Sequence, residues 1–93
     1  MPKYTTDIIA GYALYFTSKC IVEAMHVHAS DKQLTTDGAA KLYVYDNGDT
    51  LITERGVVND HDMHLIQEYI KLNHKEMYKK WKQYSDNGYY KKR

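Results

Sequence analysis

The sequence predicts an α+β fold, a four-stranded antiparallel sheet with two C-terminal helices packed on one face, and three observations carry that expectation. Extended aromatic and apolar runs fill the first half of the chain, a turn signal Asp46-Asn47-Gly48-Asp49 joins two of them, and helical periodicity begins only after Asn59. The predicted domain covers residues 1–84 as a single unit, and residues 85–93 read as a basic, flexible tail because they carry no period.

The first strand is placed on Tyr12-Ala13-Leu14-Tyr15-Phe16-Thr17, which is aromatic and apolar over one strand length and ends at a Ser18-Lys19 break. Met25-His26-Val27-His28-Ala29 alternates with period two, so Met25, Val27 and Ala29 share one face and both histidines the other. Residues 31–38 are polar and read as a loop. The third and fourth strands flank Asn47-Gly48, a pair that tolerates positive φ at both centres of a type I′ hairpin. A two-residue loop sets the pairs Tyr45 with Thr50, Val44 with Leu51, Tyr43 with Ile52, Leu42 with Thr53 and Lys41 with Glu54, the last an expected cross-strand ion pair.

Asn59 is a cap with Asp62 three residues on, and Met63, Ile66, Tyr69 and Ile70 give the first helix its apolar stripe. Asn73 followed by Glu76 reads as a second cap, so the stripe through Met77, Trp81 and Tyr84 belongs to a second helix after a kink. Trp81 is the expected core anchor.

Composition limits the function classes. At 43% apolar and 27% charged the chain is neither disordered nor a membrane protein, and with no long apolar run it is expected to be cytoplasmic. A single cysteine, Cys20, forms no internal disulfide and reads as a buried reduced thiol. Charge is divided along the chain: residues 1–70 hold five basic against ten acidic residues, and residues 71–93 eight against two. Lys75, Lys79, Lys80 and Lys82 in the basic part are candidates for weak nucleic-acid binding or for an acidic partner.

His26 and His28 are the residues most able to carry chemistry, because strand periodicity aims both rings to one side about 7 Å apart. Lys41, Tyr43 and Tyr45 alternate toward the same side, with Glu54 beside Lys41. Three readings compete for this face. As a site for a divalent metal it would use His26 and His28 with Glu54 or Asp31 as third ligand. As a catalytic or RNA-contacting face it would use His26, His28 and Glu54, with Tyr43, Tyr45 and Lys41 binding the ligand. As a plain covering of the sheet or a protein interface it would do neither. His61, His64 and His74 read as surface residues of helix starts.

The order of elements resembles a family of small bacterial proteins described as domain of unknown function 4160. The residues that carry the resemblance are Tyr12-Ala13-Leu14-Tyr15-Phe16, Met25-His26-Val27-His28, Ala40-Lys41-Leu42-Tyr43, and Trp81 with Tyr84, over about residues 11–84. Met25 stands where members of that family usually have Pro before the first His. The resemblance implies a small intracellular bacterial protein whose relatives are often encoded beside a second small protein, in the manner of toxin–antitoxin pairs. On that basis the expected function is a partner-binding component of such a pair that contacts RNA through the His/Tyr face. The alternatives are a small metal-dependent or acid-base hydrolase using His26 and His28, and a purely structural interaction module.

Overall fold

A computed structural model describes residues 2–17, 20–31 and 38–91 of the chain. The Ser18-Lys19 break, residues 32–37 of the expected loop, the Cys20 thiol and the last two residues of the expected tail lie outside the described residues. Four strands, β1 (Ala13–Tyr15), β2 (His26–Ser30), β3 (Ala40–Val44) and β4 (Thr50–Glu54), form an antiparallel meander in that order, and one helix, α1 (Asp60–Lys82), follows. No helix among the described residues is long and apolar enough to cross a membrane.

The β3–β4 hairpin turns where Asn47-Gly48 predicts, with a different loop. Gly48 N donates to Tyr45 O (2.9 Å) and Tyr45 N to Asp49 O (2.8 Å), so Asp46, Asn47 and Gly48 form a three-residue loop. Gly48 has φ +89° while Asn47 is not in the positive-φ region, which a type I′ turn would require. The extra loop residue shifts the register by one. Leu42 pairs with Ile52, Tyr43 with Leu51 and Val44 with Thr50, until a bulge between Lys41 and Leu42 restores Lys41 opposite Glu54. Because strand periodicity is two, the shift turns Ile52 inward onto the core and leaves Leu51 38% exposed on the other face.

The core lies between the sheet and α1: Leu14, Phe16, Met25, Val27, Leu42 and Val44 meet Met63, Ile66, Ile70, Met77 and Trp81. Phe16 sits edge-on to Trp81 at 5.2 Å. Asn59 caps the helix, accepting from Asp62 N at 2.8 Å.

The expected pair of helices is a single helix of 23 residues. Asn73 does not cap a second helix; its Nδ2 donates to Tyr69 O, four residues back, at 2.8 Å. Glu76 pairs with Lys79. Buried positions continue from Ile70 to Met77 and Trp81, spacings of seven and four that keep one face in phase, so packing favours an unbroken rod.

Residues 85–91, expected as a flexible tail, run back along the molecule. Trp81 Nε1 donates to Asn87 O (2.7 Å), while Ser85 Oγ and Asn87 Nδ2 both donate to Ile21 O (2.6 and 2.8 Å). Beyond Met25 and Val44, β2 and β3 separate, and the segment fills the gap: Met25 N donates to Gly88 O (2.9 Å) and Tyr90 N to Val44 O (2.8 Å). At the β1 edge, Tyr4 N donates to Leu14 O (2.9 Å) and Phe16 N to Pro2 O (3.0 Å). Nothing among the described residues pairs with the outer side of β4.

Candidate functional site

Antiparallel pairing sets His26 opposite Tyr43 and His28 opposite Lys41, and the next strand over sets Tyr15 opposite His28. Paired residues share a face, so Tyr15, His26, His28, Lys41 and Tyr43 all lie on the side of the sheet away from Val27 and Leu42. The register therefore brings together His26, His28, Lys41 and Tyr43 from the residues that the period-two reading groups, and adds Tyr15 to them.

Their environment is less open than a solvated face. His26 is fully buried, with its ring 5.2 Å from that of His28, 5.4 Å from Tyr43 and 5.8 Å from Trp81. Its Nδ1 lies 2.9 Å from Ala24 O, a carbonyl that only accepts, so Nδ1 carries the proton. Nε2 is buried without a hydrogen-bond partner among the described residues. The backbone is held as well, with Tyr4 OH donating to His26 O at 2.7 Å. His28 is half-buried, 5.6 Å from the Tyr15 ring.

The charged centre of this face forms around a residue that the sequence reading passed over. Glu23 accepts from Tyr43 OH (2.5 Å) and from Lys41 Nζ (3.1 Å). Lys41 thus finds its carboxylate in the connector before β2; Glu54 stands opposite it in the register but is not its ion-pair partner. The Tyr43 hydroxyl, helped by Lys41 and opposed by partial burial, holds the Glu23 carboxyl below the usual range. The same hydrogen bond to Glu23, with burial, pushes the Tyr43 phenol up. Partial burial pulls the Lys41 ammonium down, but Glu23 and Tyr43 outweigh it and the net shift is upward. The result is a proton-holding cluster at neutral pH, with both donors kept protonated.

Tyr45 and Tyr43 are joined by Tyr90, whose ring lies 4.4 Å from Tyr43 and 5.5 Å from Tyr45. Glu23 lies in a connector, where no period points to it, and Tyr90 lies in a segment that reads as a tail. The one available signal was Tyr89-Tyr90 after Gly88, an extended pair that sends one ring to each side.

Among the described residues no three His, Cys, Asp or Glu side chains come together as a group able to hold a metal ion, so neither Glu54 nor Asp31 joins His26 and His28 in one. His64 pairs with Glu68 at 3.0 Å, and His74 lies against the hairpin at Gly48, where an added Cβ would sit 2.6 Å from the imidazole Nδ1. On the helix, Lys79 pairs with Glu76 (3.2 Å), Lys82 Nζ donates to Asp86 O (3.0 Å), Lys75 is exposed and Lys80 half-buried. These lysines lie on α1, apart from the sheet face of His26 and Lys41.

No curated protein and no solved structure matches the chain. A family model described as "Domain of unknown function (DUF4160)" matches residues 11–82, from two residues before β1 to the last residue of α1. The chain belongs to the DUF4160 family.

Proposed function

We propose that the chain is the partner-binding component of a small two-protein, toxin–antitoxin-like pair, and that its protein partner adds a strand to β4. The observation that carries this reading is the difference between the sheet's edges. Residues 2–4 cover β1, whereas β4 presents Thr50-Leu51-Ile52-Thr53-Glu54 with no backbone hydrogen-bonded along its outer edge among the described residues. A bare edge is a template for another strand, and folded proteins usually guard one with Lys or Pro. This strand has neither. The Tyr45–Asp49 hydrogen bond fixes the alternation, so Leu51 faces β3 while the amides of Thr50 and Ile52 point outward. Resemblance to proteins often encoded beside a second small protein supports a protein as the occupant. Burial of His26 weighs against the hydrolase alternative.

Calorimetric titration with the product of the adjacent reading frame tests the proposal, using Leu51→Lys and Thr50→Pro. Both variants are expected to weaken the complex at least about tenfold, since each guards the edge without removing a core side chain. Full affinity in both, or no complex with the unaltered chain, would exclude strand addition at β4.

A further inference from the structure

The C-terminal segment builds a cleft of about 670 Å³ between the hairpin tip and α1, with Asp46, Tyr78, Tyr89, Tyr90 and Lys91 among its lining residues. Tyr89 and Tyr90 are consecutive, and their rings leave the segment in opposite directions. Tyr89 stacks on Tyr78 at 4.0 Å and 9°, and Tyr90 lies on Tyr43. Aromatic surface therefore stands on both sides of the segment, in a space within the roughly 300–1,000 Å³ usual for small-ligand sites.

The polar groups of the cleft narrow the ligand. Among the described residues, the hydroxyls of Tyr78 and Tyr90, the Asp46 carboxylate and the Lys91 ammonium make no hydrogen bond or ion pair. Lys75 and Lys82 lie three residues before and four after Tyr78, on the same side of the helix. Lys71 and Lys79 are engaged with Asp49 and Glu76, whereas Lys75 and Lys91 have no acidic partner among the described residues. An acidic peptide would meet Asp46 with like charge. A nucleotide satisfies both signs: its base presents a π-face and N–H donors that a carboxylate accepts, and its phosphate requires the lysines.

We propose that this cleft holds one base of a single-stranded nucleic acid, stacked on the tyrosine wall with Asp46 accepting from its amino edge, while the phosphate backbone runs past Lys91 and Lys75. This inference is independent of strand addition at β4, which lies on another part of the surface and involves a protein.

Fluorescence anisotropy with labelled single-stranded RNA and DNA of about 12 nucleotides, and competition by a free mononucleotide, test it between about 50 and 200 mM salt. The oligonucleotides are expected to bind, with RNA and DNA compared to identify the preferred strand. Tyr78→Leu should weaken binding about five- to hundredfold, with far-UV dichroism unchanged. Lys75→Ala and Lys91→Ala should each reduce the salt slope by about 0.7. Arg55→Ala removes the same charge near the other end of α1 and should leave binding unchanged. Absence of oligonucleotide binding at low salt overturns the proposal. Equal effects of Arg55→Ala and Lys91→Ala, with none from Tyr78→Leu, would also overturn it by showing diffuse charge attraction only.

Discussion

The two edges of the sheet differ in a way that the two strands themselves do not explain. β1 is three buried residues, covered by backbone hydrogen bonds from residues 2–4, and the open end between β2 and β3 is filled by residues 88–90. β4 is a five-residue strand, longer than β1, and no backbone among the described residues pairs with its outer edge. Closure thus comes from segments distant in sequence, which must be pinned to stay in place, while the open edge requires no pinning. Substitutions at the closures should therefore cost stability, and substitutions at β4 should cost binding.

Trp81→Ala should have the largest effect, about 3–5 kcal/mol, because it empties a fully buried site against Phe16 and removes the donor to Asn87 O. Denaturant titration measures the loss, and hydrogen exchange at Tyr90 should accelerate beyond it if Trp81 pins the segment. An unchanged midpoint would mean that the C-terminal closure holds without Trp81. Tyr4→Phe at the β1 closure keeps the ring on Phe16 but leaves the buried His26 carbonyl without its donor, for about 1–2 kcal/mol.

Glu23→Gln should cost less, at most about 1 kcal/mol, because the carboxylate is 41% exposed and solvent screens it. The sign with pH follows from the depressed carboxyl. Its contribution is complete above the unfolded value of 4.5 and is lost as pH falls through the lower folded value. The melting temperatures of the two proteins should differ at neutral pH and converge in acid. A gap that is constant down to strong acid would remove Glu23 from the account. Tyr43, with its phenol raised, adds stability that is present below 10.0 and lost as pH rises through its higher folded value. Leu51→Lys should have the smallest effect, within about 0.5 kcal/mol, as an exposed residue on an unpaired edge.

What the sequence made legible was local. The alternation of residues 25–29 placed His26 and His28 on one face, and Asn47-Gly48 marked the hairpin, because strand period and turn chemistry act over a few residues. The loop type was not legible, since Asn-Gly suits both a two-residue loop and a three-residue loop ending in a positive-φ Gly, and one residue decides the register. Asn73 carries a cap signal that the continuous stripe through Met77 and Trp81 overrides. The Glu23 cluster and the closing segment depend on contacts such as Ser85 to Ile21, 64 residues apart, which no window reveals.

Hydrogen exchange of the amides of Thr50 and Ile52, with and without the proposed protein partner, tests the central claim most directly. Strand addition predicts that these two outward amides become protected in the complex while Leu51, already bonded to β3, changes little. A complex that forms with Thr50 and Ile52 still exchanging at their free rates would contradict it.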